Sequence, residues 1–224
     1  MQCNRCRNEP VLFQSSSGRN LCRDHFLNDF EARAKHVIRL NRWMRPGDHI
    51  VVPLGGDAAS AALLLFLERL TAGRRDVRVS PLPCCAGQLV PDREEILQEA
   101  AEGIGATRIA LPAGVGDIAA SVLRDLLSGM REESPVYAGG PHPGGISSIR
   151  PFSRATTEEI LLYARLQGIG GGEPAPLFSG DAVGEAVADL LEAFGRVHPG
   201  ALFAVANFGR DLAACRTGMR EDDS

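Results

Sequence analysis

Apolar positions along the middle of the chain follow two alternating patterns. A short β-branched run at 50–52 leads into a glycine pair, and an Ala/Leu-rich run follows at 58–67. The first pattern is typical of a buried strand and the second of a buried helix. The alternation continues in strands predicted at 76–82 and 107–111 and in helices predicted at 58–71, 92–103 and 118–129. Such an order predicts an α/β fold with a doubly wound, mostly parallel sheet.

Apolar residues at helical spacing precede this alternating region. They predict a helix from His25 to about Trp43, with Trp43 filling the joint between this helix and the sheet domain. Two short strands are predicted before the helix, at 11–13 and 20–22. We therefore expect three parts of the chain, namely a small module at 1–45, an α/β domain at 46–210 and a disordered tail at 211–224.

The second half of the α/β domain has a less regular pattern. Helices are predicted at 157–168, capped by Thr156 or Thr157, and at 181–194. Residues 131–150 contain the run GGPHPGG, which interrupts regular structure, and they are predicted as loop. An irregular segment is predicted at 198–208.

A glycine turn separates the first core strand from the helix that follows it. Gly55 and Gly56 form this turn. In a strand–turn–helix unit, backbone N–H groups at the helix N-terminus point toward an anion, often a phosphate, and glycine permits its close approach. The turn therefore predicts a phosphate site. A tight turn with no ligand is the alternative.

The net charge of −4 is distributed unevenly along the chain. Residues 1–45 contain nine Lys and Arg residues against four Asp and Glu residues, a local charge of +5, which leaves −9 for the rest. A basic module indicates contact with nucleic acid, and a solvated helix face is the alternative. The longest apolar run has about half the length that a membrane span needs. The start MQCNRCRNEP also lacks an apolar signal region, so we expect a cytoplasmic protein.

Cysteines in that compartment act as metal ligands or free thiols more often than as disulfides. Cys3 and Cys6 form a C-x2-C pair, and Cys22 and His25 form a C-x2-H pair further along the module. Two such pairs can occupy opposite edges of a tetrahedron, which is the arrangement of a closed zinc site. Four protein ligands leave no open position, so the predicted zinc is structural. Unrelated thiols and a surface histidine are the alternative.

Three further segments follow the Cys/His module in order. They are LGGDAA at 54–59, GVGDIAASVLRDLLSG at 114–129, and IRPF at 149–152 followed by TEEILLYARLQGI. Together with the zinc ribbon and its basic helix, these segments resemble the PP-loop ATP pyrophosphatase family, in particular the tRNA 2-thiouridine synthetases of the TtuA and cytosolic thiouridylase type. That family has SGGxDS, GHNxDDxAxTxLxNLxxG and an RPL segment at these places. The match spans roughly residues 1–210. It implies an adenine nucleotide alpha hydrolase-like fold, ATP with Mg²⁺, and tRNA as partner.

The resemblance also implies that parts of the ATP site are lost. The serine and aspartate of the first family motif help to hold ATP and magnesium, and the aligned positions here are Leu54, Ala58 and Ala59. Alanine has no oxygen with which to ligate magnesium. Asp57 or Ser60 could substitute if the turn shifts by one residue.

The second family motif is only partly retained. Asp117 keeps one of its two acids, whereas Gly116 replaces the other and Ala113 replaces the histidine. The residues that the resemblance assigns to the nucleotide are Gly55, Gly56, Asp57, Ser60 and Asp117.

The sulfur chemistry of the family uses a Cys-x2-Cys pair and a third cysteine after the RPL helix. Here Cys84 and Cys85 are adjacent, and Glu173-Pro174-Ala175 stands near the third position. Adjacent cysteines are poorly arranged to ligate one metal, so an iron–sulfur cluster built from them and Cys215 is not expected. The weak catalytic candidates are Cys84, Cys85 and Asp117.

Three functional hypotheses follow from these observations. The first is a non-catalytic or weakly catalytic tRNA-binding member of the thiolation family, which pairs with an active thiolase paralogue or with itself. The second is an active ATP-dependent tRNA 2-thiolation enzyme with altered motifs, and the third is a nucleotide-binding scaffold unrelated to RNA. No membrane or DNA contact is expected. The residues predicted to contact tRNA are Arg33, Lys35, Arg39, Arg42 and Arg45.

Overall fold

The computed structural model of the chain describes residues 2–84, 93–129, 145–172, 181–198 and 200–221. Within these residues the strands form two sheets. An antiparallel hairpin joins β1 (Leu12–Gln14) to β2 (Arg19–Leu21). A parallel four-stranded sheet has the order β4-β3-β5-β6. The α/β fold with a parallel sheet is therefore confirmed.

Strand β3 (His49–Leu54) lies at the centre of the parallel sheet. It pairs on one side with β4 (Arg78–Pro83) and on the other with β5 (Arg108–Ala110), which in turn pairs with β6 (Ser147–Ile149). All three pairings are parallel. The carboxyl ends of the four strands therefore meet at one edge.

Seven helices surround the sheets within the described residues. In chain order they are α1 (Arg23–Leu40), α2 (Ala58–Thr71), α3 (Arg93–Gly103), α4 (Val115–Leu127), α5 (Thr157–Leu166), α6 (Ala182–Val197) and α7 (Ala201–Glu221).

The two faces of the sheet are covered by different helices. Ile50 and Val52 point to the face that α1, α2 and α5 cover, whereas Val51 points to the opposite face and packs with Ala101 of α3. This alternation is the period of two expected for a strand that is buried on both faces. Helix α4 packs separately against α6 and α7.

Helix α1 belongs to the main hydrophobic core. The ring of Phe30 stacks on that of Tyr163 with centroids 4.4 Å apart and meets the edge of Phe152 at 4.9 Å. Trp43 is buried in the same cluster and fills the joint, as expected. The module predicted at 1–45 thus shares one core with the following segment, since no gap in packing separates them.

The end of α1 differs from the prediction. The helix ends at Leu40 rather than near Trp43, because Arg42 adopts a left-handed conformation with φ of 52°. The N–H of Trp43 donates to the carbonyl of Ile38 at 3.1 Å, and that of Arg42 donates to Arg39 at 3.2 Å. These bonds form a Schellman motif, in which glycine is the usual left-handed residue.

Two predictions in the second half of the chain are wrong. Within the segment predicted as loop at 131–150, residues 147–149 form strand β6, which is too short to carry a periodic pattern and exists because it pairs with β5. The segment predicted as irregular at 198–208 lies largely in α7. That helix is stabilised by packing on α4, where Gly209 directly contacts the side chain of Val122. It also extends to Glu221, into the predicted tail.

Candidate metal centre and nucleotide site

The four predicted metal ligands lie together in the N-terminal module. Their ligand atoms are all within 4.8 Å of one another. The Nδ1 of His25 is 3.5 Å from the Sγ of Cys3 and 3.2 Å from that of Cys22, and the Sγ atoms of Cys6 and Cys22 are 3.6 Å apart. A tetrahedral ion with metal–sulfur bonds near 2.3 Å has edges of about 3.8 Å. The set therefore fits one four-coordinate metal ion.

Local backbone structure brings the two ligand pairs together. Cys22 is the N-cap of α1, and His25 lies in the first turn of that helix. The loop that carries the other pair is attached to β2, because the N–H of Asn4 donates to the carbonyl of Asn20 at 2.8 Å. The N–H of Arg5 also points at the Sγ of Cys3, 3.5 Å away. The hairpin and the start of α1 thus position all four side chains.

Backbone donors affect the acidity of the first cysteine pair. Burial alone would raise the pKa of Cys3, but N–H donors led by that of Arg5 lower it to about 6. The N–H of Asn8 lowers the pKa of Cys6, yet burial and the neighbouring thiols outweigh it, so this pKa is raised. Metal binding requires thiolates. The lowered pKa of Cys3 thus favours its thiolate form.

The predicted nucleotide residues lie at the carboxyl edge of the sheet. Strand β4 lies on one side of β3 and strand β5 on the other. The direction in which the chain adds strands to the sheet therefore changes between β3 and β5. Ligands of open α/β sheets bind at such a switch point. Gly55, Gly56 and Asp57 follow β3, and Asp117 lies in the first turn of α4, which follows β5. The fold thus places both motifs at this edge.

The glycine turn is closed by contacts within the chain. Asp57 is the N-cap of α2, and its carboxylate accepts the N–H of Ser60 at 2.8 Å and the hydroxyl of the same residue at 2.7 Å. Gly56 has a φ of +87°, which allows the chain to reverse before the cap. The carboxylate therefore occupies the helix N-terminus, where a phosphate would be expected to bind.

A second segment of the chain lies against the same turn. The N–H of Ala58 donates to the carbonyl of Gly172 at 3.2 Å, and the N–H of Gly172 donates to that of Gly56 at 3.2 Å. A Cβ on Gly171 would be 2.7 Å from the nitrogen of Ala58, so only glycine permits this approach. This contact was not predicted from the sequence. The glycines at 170–172 were visible, but nothing in the pattern indicates what they would meet.

Asp117 also bonds within its own helix. Its carboxylate accepts the N–H of Gly114 at 2.7 Å. Burial raises the pKa of Asp117, although this N–H and the positive charge of Arg150 oppose the change. Arg150 is itself buried at the end of β6, and its Nη1 donates to the hydroxyl of Ser148 at 3.1 Å. Burial and the bond from Gly114 thus hold this carboxyl group at the start of α4.

Of the cysteines assigned to catalysis, only Cys84 lies within the described residues. It follows β4, and a Cβ on Gly55 would be 4.0 Å from its Sγ, so this thiol borders the glycine turn. Cys85 lies outside the described residues, and so do the predicted third-cysteine position at 173–175 and the side chain of Cys215.

The predicted tRNA contacts separate into two groups. Arg33 donates to Asp29 and forms a bidentate pair with buried Glu159, at 2.7 and 3.0 Å, and Lys35 pairs with Glu31 at 2.8 Å. The guanidinium of Arg33 thus holds α1 against α5 and is not available to a phosphate. The exposed members of the set are Arg39, Arg42 and Arg45.

The region that contains the metal ligands is similar to a known protein family. Residues 2–27 match the family described as 2-thiouridine synthetase TtuA, N-terminal LIM domain. The chain is 24% identical to tRNA-5-methyluridine(54) 2-sulfurtransferase of Thermus thermophilus, in a match that covers 75% of this chain and 67% of the relative. It is 23% identical to cytoplasmic tRNA 2-thiolation protein 1 of Bos taurus, in a match that covers 96% of this chain and 79% of the relative. The chain is related to the TtuA-type tRNA 2-thiouridine synthetases.

A solved structure extends this relation to the fold. The U34-tRNA thiolase NcsA from Methanococcus maripaludis, solved with its [4Fe-4S] cluster, superposes with a TM-score of 0.76. The match covers 95% of this chain and 87% of that one at 15% identity. The α/β fold predicted from sequence is thus shared with this solved thiolase. Among the described residues, no helix is long and apolar enough to cross a membrane.

Proposed function

We propose that this protein binds tRNA within a cytoplasmic thiolation system and contributes little or no ATP-dependent catalysis of its own. It would act beside an active thiolase paralogue or as a homo-oligomer. The observation that carries this proposal is the carboxylate of Asp57 at the N-terminus of α2. A triphosphate at that turn would meet a negative charge, and Gly172 already accepts the N–H of Ala58. Loss of the family's serine and aspartate at this turn agrees with the same interpretation.

Titration with magnesium-ATP tests this proposal. Binding heat and pyrophosphate release should both be measured on the metal-loaded protein, with and without bulk tRNA. We expect neither a saturable heat nor pyrophosphate. Saturable binding with pyrophosphate release would contradict the proposal.

The end of α1 is the surface that we assign to tRNA. Arg39, Arg42 and Arg45 are exposed there, and phosphate contacts of this kind dominate affinity for nucleic acid. Arg42 holds the left-handed position at which glycine is usual. An L-residue in this conformation costs on the order of 1 kcal/mol relative to glycine. An exposed arginine at a strained position, where glycine would cost less, supports a role in binding.

Substitution of Arg42 by glycine separates binding from stability. Arg42→Gly should leave the free energy of unfolding unchanged or slightly raised, because glycine relieves the strain, while tRNA binding weakens. Arg39→Gln should weaken tRNA binding similarly. Each lost phosphate contact should reduce by about one the slope of the logarithm of the binding constant against the logarithm of the salt concentration. Arg165→Gln, an exposed arginine on α5, is the matched control. Unchanged tRNA affinity in both α1 variants would remove this surface from the proposal.

We further propose that the metal is zinc. Three thiols and one imidazole within 4.8 Å leave space for a single ion, whereas [4Fe–4S] clusters are typically held by four cysteines around a larger core. Zinc would hold the hairpin on α1 and supply no redox chemistry. Metal analysis should find zinc at one equivalent in a colourless protein. A visible absorption band together with iron would contradict this assignment.

An active thiolase is the second candidate, and the position of Cys84 favours it. Its thiol borders the glycine turn, where a sulfur nucleophile could reach an adenylated uridine. In that case a Cys84→Ser, Cys85→Ser double variant should lose sulfur transfer while pyrophosphate release is retained. A wild-type protein without any sulfur transfer would exclude this candidate.

A further inference from the structure

A pocket of about 80 Å³ lies away from the glycine turn, between the end of α1, the start of α4, the turn after β6, and α7. Its apolar wall includes Val37, Trp43 and Ile118, all of which are buried. Leu40, Asn41 and Asn207 are exposed at its rim, so a ligand can enter from solvent. We call this site the α1–α7 pocket.

Three arginines line the α1–α7 pocket, namely Arg150, Arg154 and Arg210. None of the lining residues that the structure describes is acidic. Arg150 is only 5% exposed and is oriented by its bond to Ser148, while Arg210 is oriented by a bond from its Nη2 to the Oδ1 of Asn207. Asp117, which interacts electrostatically with Arg150, is not among the lining residues.

Size and charge together indicate the class of ligand. Pockets for whole nucleotides or drug-sized ligands have volumes of roughly 300–1,000 Å³, and this one is several times smaller. It can hold a few water molecules or a single tetrahedral oxyanion. Arginine forks match the oxygens of phosphate in geometry and charge. The pocket therefore suits one phosphate group and not a nucleotide.

We propose that the α1–α7 pocket binds a phosphate group, and that its occupant in function is a backbone phosphate of RNA. Rim residues Leu40 and Asn41 lie between Arg39 and Arg42, so the pocket adjoins the basic end of α1. A phosphodiester seated there would fix the register of an RNA along that surface. The choice of RNA rests on the function proposed above, whereas phosphate binding stands on the pocket alone.

Fluorescence of Trp43 reports on this site directly, because it is the only tryptophan in the chain and lines the pocket. Inorganic phosphate should produce a saturable change in emission at constant ionic strength, and chloride should not. Arg154→Gln and Arg210→Gln should each weaken the phosphate response at least tenfold. Arg165→Gln should leave it unchanged.

Bulk tRNA distinguishes the source of the phosphate. If RNA is the occupant, saturating tRNA should abolish the response to inorganic phosphate in the wild type. A phosphate response that tRNA leaves intact would overturn the assignment to RNA, and no saturable response to phosphate would overturn the pocket itself. Failure of the pocket is distinct from failure of the proposed function, because tRNA binding through Arg39 and Arg42 is measured separately.

Discussion

The metal centre and the glycine turn begin from equally short sequence patterns, and the structure treats them differently. All four ligand atoms of the metal centre meet within 4.8 Å. At the glycine turn, the N–H groups expected to face a phosphate instead donate to Asp57 and Gly172. A chelating site depends on side-chain chemistry, which the sequence displays. A phosphate site depends on backbone donors that stay free. Here one donor is taken by the nearby Asp57 and another by Gly172, which lies much later in the chain.

Removal of a metal ligand should have the largest effect in the molecule. Cys22→Ser takes away one of four ligands at the N-cap of α1, and we expect bound metal to fall from about one equivalent to none. Structural zinc contributes on the order of 10 kcal/mol to the module that it holds. Metal analysis and thermal unfolding measure the loss. A chelator should act on the wild type in the same way.

A thiol outside the cluster provides the control for this change. Cys84→Ser replaces a cysteine at the end of β4 and should keep both metal content and unfolding temperature. If Cys22→Ser retained a full equivalent of metal, the cluster would not be a four-ligand site, and the contrast with the glycine turn would fail.

Substitution of Glu159 tests how much stability comes from the contact between the module at 1–45 and the α/β domain. Its buried carboxylate accepts from Arg33, from the Nε2 of Gln14 at 2.8 Å, and from the N–H of Thr156 at 3.0 Å. Breaking a buried ion pair costs about 3–5 kcal/mol, and the 24% exposure of Arg33 places Glu159→Gln near the lower value. Denaturant unfolding should show this loss without loss of metal.

The matched change in an exposed pair is Glu192→Gln, which removes the partner of Arg196 on α6. Exposed i,i+4 pairs contribute about 0.3–0.5 kcal/mol, so this variant should be nearly neutral. Equal effects of the two variants would show that Glu159 does not join the module to the domain.

What the sequence could predict follows from the range of the interactions involved. Helix α2 was predicted with its observed bounds, because an Ala/Leu-rich run that follows a glycine turn is a local feature. Strand β6 and helix α7 were missed, since each depends on a distant partner, β5 for the strand and α4 for the helix. Arg33 looked like a surface charge for the same reason, because its partner Glu159 lies on α5.

Gly171 provides a smaller test on the glycine-turn side of the comparison. A Cβ at this position would lie 2.7 Å from the backbone nitrogen of Ala58, and rotation of a side chain cannot relieve this clash. Gly171→Ala should therefore destabilise the fold by about 1–3 kcal/mol, the usual cost of overpacking. Gly170→Ala meets nothing within 4 Å and should be close to neutral in the same unfolding measurement. Equal stability of the two variants would mean that the segment does not hold the turn.

The smallest expected effect comes from the cap of α2, and it bears most directly on the comparison. Asp57→Ala removes the acceptor for Ser60 and should cost about 1 kcal/mol, whereas Asp57→Asn keeps an acceptor and should cost less. Both variants remove the negative charge from the helix N-terminus. If that charge is what excludes a triphosphate, magnesium-ATP should bind Asp57→Asn more tightly than the wild type in calorimetry. If neither variant gains any affinity, the carboxylate serves only to begin the helix, and the contact from Gly172 is sufficient to close the turn.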